Sequence, residues 1–142
     1  MIQEFTTYIA ANTSFTLGTD LFTEWKLILN PEPQSYVVVQ NTGSGGVNFH
    51  APFLSESNVK VISFAKNNYI GAKGNANTIY KLVKQLNQVI LPVVAPPIGL
   101  GEQLKLAISH AKSKPTYEGQ DEKGFHVYSF EVMCKIEDLQ EV

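Results

Sequence analysis

From Phe125 to Glu137 the sequence alternates. Tyr128, Phe130, Val132, Cys134 and Ile136 share one side of an extended chain. Ser129, Glu131, Lys135 and Glu137 share the other, with Val127 and Met133 among them. Successive side chains of a strand point to opposite faces, so this pattern specifies a long β-strand with one face buried. A strand of that length leaves backbone donors and acceptors on both edges, and other parts of the chain must satisfy them.

Further strands are legible. Tyr36–Gln40 is a β-branched run. Asn58–Ala65 alternates, with Val59 and Val61 on one face and Ile62 and Phe64 not cleanly sharing it, so both faces are partly covered. Leu104, Leu106 and Ile108 alternate with Lys105, Ala107 and Ser109, which predicts a half-buried strand. Trp25–Leu29 reads as a short strand, stopped by the prolines of "NPEP". Two segments have the other period. Ile2, Phe5 and Ile9, with Tyr8 beside them, predict a short N-terminal helix that ends at Asn12–Ser14. Ile79, Val83, Leu86 and Ile90 lie on one face of a second helix, with Asn75 or Asn77 as the predicted N-cap and Pro92 closing it. Gly18 and Asp20 mark a turn, Leu91–Gly101 a Pro/Gly connector, and Ser113–Gly124 a polar loop. No repeat or linker divides residues 1–142, so one domain is expected. Two helices cannot wrap both faces of such a sheet. The expected fold is α+β, a mainly antiparallel or mixed β-sheet with two helices packed on one face.

Composition excludes some function classes. All 11 basic residues are lysines, against 13 carboxylates and a net charge of −2. Arginine is the preferred residue for bidentate grip on phosphate and guanine, so its absence argues against a dedicated nucleic-acid reader. The single cysteine, Cys134, falls in an apolar strand pattern and is expected to be buried. The most apolar segment, "VILPVVAPPIGL", is too short and too rich in proline to span a bilayer, and "MIQEFTTYIA" lacks the features of a signal peptide.

Candidate chemistry is sparse. "VVVQNTGSGG", Val37–Gly46, runs from a hydrophobic stretch into glycines, as a phosphate-binding loop does. It has no following lysine and no helix to supply N–H groups, so it is read as a strand-to-strand loop. "GAKGN" places Gly71, Lys73 and Gly74 near a helix N-terminus, a better anion position, though a glycine turn with a helix cap explains it as well. His50, His110 and His126 have no metal-ligand spacing, although His110 and His126 would face each other if their strands pair. Asp121 and Glu122 read as solvated turn carboxylates without the spaced oxygens of a calcium loop. No catalytic, cofactor or metal residues are assigned. Tyr36, Phe49, Phe53, Tyr69, Tyr117 and Phe125 stand in or beside predicted loops, where exposed aromatics would make a protein-binding surface.

The order of these pieces resembles the tail terminator proteins of long-tailed bacteriophages, the family of the lambda tail terminator. The resemblance is carried by the N-terminal helix, "LGTDLF", "NPEPQSYVVVQNTGSGG", the strand "VKVISFA" leading to "ANTIYKLVKQL", and "PTYEGQDEKGFHVYSFEVMCKI". The chain departs from that pattern at Ser63 and Phe64, where an arginine is expected, and in the proline-rich connector. The resemblance implies a virion protein, assembled in the host cytoplasm, with no catalysis and no cofactor. It implies a homohexamer ring at the head-proximal end of the tail tube, which stops polymerisation of the tube protein and presents a joining surface to the head–tail connector. DNA passes through the lumen without specific binding, and no membrane is involved. "NTGSGG" would then be a mobile loop ordered by docking. Thr42, Gly43, Gly46, Phe49, Phe53, Tyr69, Tyr117 and Phe125 are the expected assembly contacts, and disrupting Phe49 or Phe125 is expected to impair assembly more than folding. Two other roles stay open without catalysis: a head–tail connector (neck or stopper) protein and a small adaptor domain. An enzyme with an unrecognised site is the remaining alternative.

Overall fold

The computed structural model describes residues 1–24, 33–48 and 51–138. The chain runs α1 (Ile2–Ala11), β1 (Leu21–Thr23), β2 (Ser35–Asn48), β3 (Ala51–Lys66), α2 (Tyr69–Val83), β4 (Asn87–Ile90), β5 (Leu104–Ala111), β6 (Thr116–Gln120) and β7 (Phe125–Asp138). Among the described residues these strands form one sheet in the order β1-β2-β3-β7-β5-β4, with β6 paired to β7. β1 and β2 are parallel, and every other pairing is antiparallel. The architecture is the expected α+β. The predicted strand Trp25–Leu29, and with it Phe49 and His50, lies outside the described residues.

The long alternating strand is the spine. β7 takes β3 along one edge, and on the other it takes β5 and then β6, end to end. Its predicted inward set, Tyr128, Phe130, Val132, Cys134 and Ile136, is buried as a block. On the same side Phe5 and Ile9 of α1 and Ile79 and Val83 of α2 join Val37, Val39, Val59, Val61 and Leu106 in the main core. Both helices therefore cover one face. Each such side chain contributes on the order of 1.5–3 kcal/mol through the water it escapes. The opposite face holds a second cluster, where Tyr36 stacks on Phe64 at 4.8 Å and Phe125 meets Tyr36 edge-on at 5.8 Å. Val59 and Val61 belong to the first cluster and Ile62 and Phe64 to the second, so β3 is covered on both faces.

Four local expectations are corrected. The glycine-rich stretch and the described part of "VNFHAPFLSES" are strand rather than loop: β2 extends to Asn48 and β3 begins at Ala51. Register shifts between Asn41 and Gly43, Ser44 and Gly46, and Val47 and Asn48 absorb the residues that spoil the alternation. A bulge leaves a residue unpaired without ending the ladder. The second helix starts and stops earlier than its apolar spacing predicts. Asn68, rather than Asn75 or Asn77, caps it by accepting from the Gly71 N–H at 2.8 Å. A Cβ on Gly71 would lie 2.4 Å from Asn68 Nδ2, so this cap requires glycine. At the other end buried Ser109 accepts from the Leu86 N–H and donates to the Val83 carbonyl, both at 2.8 Å. That pair draws the chain out of the helix and into β4, although Leu86 and Ile90 continue the helical spacing. In β5 a register shift between Leu106 and Ile108 reverses the phase, so that Ser109 is buried and Ile108 exposed. Finally, the predicted Ser113–Gly124 loop contains β6, held by β7.

Candidate assembly surface

Asn68 sets the site. By fixing the first turn of α2 it places Tyr69 over the sheet's end and turns Ile70 outward, 81% exposed. The Asn67 N–H donates to the Gly124 carbonyl at 2.8 Å, which ties the helix start to the β6–β7 turn. Asp121 builds that turn, its Oδ1 accepting from the N–H groups of Lys123 and Phe125, both at 2.9 Å. It is the turn carboxylate that its glycine-flanked position predicts. Cross-strand pairing then sets Tyr117 opposite Tyr128.

The result is a compact aromatic group. Tyr69 meets Tyr117 at 5.1 Å, Tyr128 at 5.4 Å and His126 at 5.8 Å. Tyr117 meets Tyr128 at 5.2 Å, and its hydroxyl is hydrogen-bonded to His126 Nδ1 at 2.9 Å. Edge-on contacts of this kind are worth about 0.5–1.5 kcal/mol beyond the area they bury. Tyr128 is the buried floor. Burial, with the neighbouring Tyr69 and Tyr117 hydroxyls, pushes its phenol up to about 12, so the floor stays uncharged in ordinary buffers. Tyr69 and Tyr117 remain 44% and 40% exposed. Two aromatic rings, in contact with their neighbours and partly open to solvent beside an exposed isoleucine, have the composition of interface anchors.

The structure thus joins two of the residues expected to make assembly contacts, Tyr69 and Tyr117, although they lie far apart in the sequence. It separates them from Phe125. Phe125 is a correction: it is 2% exposed, inside the aromatic cluster on the far face, because Tyr36 and Phe64 of β2 and β3 pack against the first side chain of β7. It does not present a contact surface in the folded chain. Tyr36 is buried beside it. Thr42 and Gly43 are exposed on β2, with the Thr42 hydroxyl donating to the Asn58 carbonyl at 3.3 Å and the Gly43 N–H to Asn41 Oδ1 at 3.1 Å. Gly46 pairs with Glu56. "NTGSGG" is therefore hairpin strand rather than loop. Phe53 lies within β3, its side chain outside the described ones, and Phe49 lies outside the described residues.

The remaining sequence candidates disperse. Gly71, Lys73 and Gly74 fall inside α2, and the Gly71 N–H that an anion would need is taken by Asn68. His110 stands opposite Met133, and His126 opposite Ala65 and Gln120, so the two histidines do not face each other. Among the described residues no three of His, Cys, Asp and Glu are grouped as metal ligands. No helix among them is long and apolar enough to cross a membrane. Ile70 and His126 were missed as members of the patch. The available signal was "NNYIG", an asparagine cap three residues before a glycine, which moves the helix start and sends Ile70 outward. No protein-family model and no curated protein matches the sequence.

Proposed function

We propose that this chain is a non-catalytic virion protein that forms a ring, six copies by the family resemblance, at the head-proximal end of a phage tail tube. The ring ends tube polymerisation and offers the surface on which the head connector seats, while DNA passes through its lumen without specific binding. The observation that supports this best is the Tyr69–Ile70–Tyr117 patch, an exposed aromatic and aliphatic surface where the start of α2 meets β6. A closed ring needs such a patch, because each copy must offer its neighbour one surface and receive another. The absence of arginine accords with a channel that does not hold phosphates tightly.

The test is negative-stain microscopy of the purified protein, alone at high concentration and mixed with tail tubes. Sixfold rings, or tube ends capped by them, are the expected result. Monomers that leave the tubes uncapped would overturn the terminator role and move attention to the head–tail connector or an adaptor.

A further inference from the structure

The chain is electrically divided. Residues 57–101 contain five lysines, Lys60, Lys66, Lys73, Lys81 and Lys84, and no aspartate or glutamate. All thirteen carboxylates lie outside that segment, with the other six lysines. Three lysines in or beside the sheet are paired: Lys60 with Glu118 at 3.5 Å, Lys105 with Glu137 at 3.0 Å, and Lys112 with Glu131 at 3.6 Å. Those in or beside the helix are not. Lys66, Lys73, Lys81 and Lys84 are exposed, and none has a carboxylate within 4 Å among the described residues. Ile70, Lys73, Asn77, Lys81 and Lys84 follow helical spacing along the solvent side of α2 and just past its end. The helix dipole accounts for Lys81 and Lys84, since cations are stabilising near a C-terminus. It opposes Lys66 and Lys73 at the N-terminal end, so helix stability does not explain the whole set.

An acidic counterpart sits on the same molecule. The β6–β7 turn carries Asp121 and Glu122, both exposed, with Lys123 beside them, while Glu118 in β6 is already paired with Lys60. The turn abuts the start of α2 through the Asn67–Gly124 hydrogen bond. Lys84 lies at the other end, where its carbonyl accepts from the Ala111 N–H. A helix of this length spans roughly 22 Å, so the acidic turn and the basic end cannot meet within one copy. They are two different patches of opposite charge, the arrangement that a head-to-tail contact requires. We propose that the lysine face of α2, centred on Lys81 and Lys84, receives the acidic β6–β7 turn of a second copy of this chain. The head-to-tail geometry rests on the ring reading above; the charge division does not. A second copy fits better than a nucleic acid, because the excess of carboxylates is built into the chain itself and the bidentate phosphate residue, arginine, is missing.

Sedimentation velocity of the full chain tests this at about 0.1 M and about 1 M salt, where the screening length falls from ~10 Å to ~3 Å. Association at low salt that weakens about tenfold or more at high salt is expected. Lys81→Gln/Lys84→Gln, which keeps helix-compatible side chains, should weaken it about tenfold, and Lys81→Glu/Lys84→Glu further. Glu122→Lys should weaken it too, and mixing it with the Lys→Glu double variant should restore a pairwise complex. Circular dichroism establishes that each variant is folded. A wild-type chain that is monomeric at both salts, association insensitive to salt or to these variants, or a lysine-dependent complex with duplex DNA in place of self-association would each overturn the proposal. Tube capping separates the two readings. Wild-type capping that survives Lys81→Gln/Lys84→Gln sinks this contact and spares the ring. Salt-sensitive association by a protein that caps no tubes does the reverse.

Discussion

Phe125 and Tyr117 flank the β6–β7 turn in sequence, yet one is buried in the core and the other is 40% exposed. Truncating Phe125 to alanine removes a ring that is 2% exposed and packed against Tyr36 at 5.8 Å and Phe64 at 6.4 Å. Emptying a site of that kind costs about 3–5 kcal/mol, transfer and cavity together. A domain of this size has ~5–15 kcal/mol to lose, so the variant should unfold at markedly lower urea and melt ~10–15 °C lower. Tyr117→Ala removes a ring that is already 40% exposed and loses its contacts to Tyr69 and Tyr128, about 1–2 kcal/mol in all. Its expected defect is in assembly: a folded chain that fails to ring or to cap tubes. Urea unfolding followed by circular dichroism, beside the capping assay, distinguishes the two. A Phe125→Ala protein with the wild-type unfolding midpoint but no capping would refute this assignment and return Phe125 to the contact surface.

Three further outcomes follow from buried groups. Glu4 is fully buried. Burial alone would push its carboxyl up, but the Leu100 N–H at 2.9 Å, its own N–H and the Met1 amino group at 3.0 Å outweigh that and hold it below its ordinary 4.5. A depressed carboxyl stabilises the fold above the unfolded-state value and loses that contribution as pH falls through the folded-state value. Thermal melts from neutral pH downward should show this acid-side loss in the wild type and a flatter profile in Glu4→Gln; identical profiles would contradict it. Cys134 is buried, and burial alone pushes its thiol up to about 12. A thiol reagent at neutral pH should therefore leave it unmodified until denaturant is added, since the thiolate is the reactive form. Ser109→Ala strands the Leu86 N–H and the Val83 carbonyl, at a cost of about 1–3 kcal/mol, and faster hydrogen exchange at Leu86 would report it directly.

How much of the candidate surface was legible follows from the same physics. Tyr69 and Tyr117 were identifiable as aromatics outside regular apolar patterns. Their contact was not, because it depends on β6 pairing with β7, and β6 has the composition of a loop. Phe125 was misplaced for the converse reason. It heads the predicted strand on the side shared with Ser129, Glu131, Lys135 and Glu137, which reads as exposed, and only the packing of Tyr36 and Phe64 from β2 and β3 buries it.

The elements with strong internal periodicity were fixed by the sequence itself: α1, β7, the centre of β3 and the existence of α2. α1, α2 and β7 have enough apolar residues in register to define one buried face, and the centre of β3 is apolar enough to be buried on both. The limits of those elements were decided by the tertiary structure. Asn68 sets where α2 begins and Ser109 where it ends, although Leu86 and Ile90 keep the helical spacing. The glycines of Val37–Gly46 are extended because β3 satisfies their backbone, and backbone pairing is indifferent to the side chains that make a segment look like a loop. Charge behaves in the same divided way. The sequence places the lysines, but only the fold sets Lys73, Lys81 and Lys84 along one helix face and Asp121 and Glu122 in a turn beside the helix start.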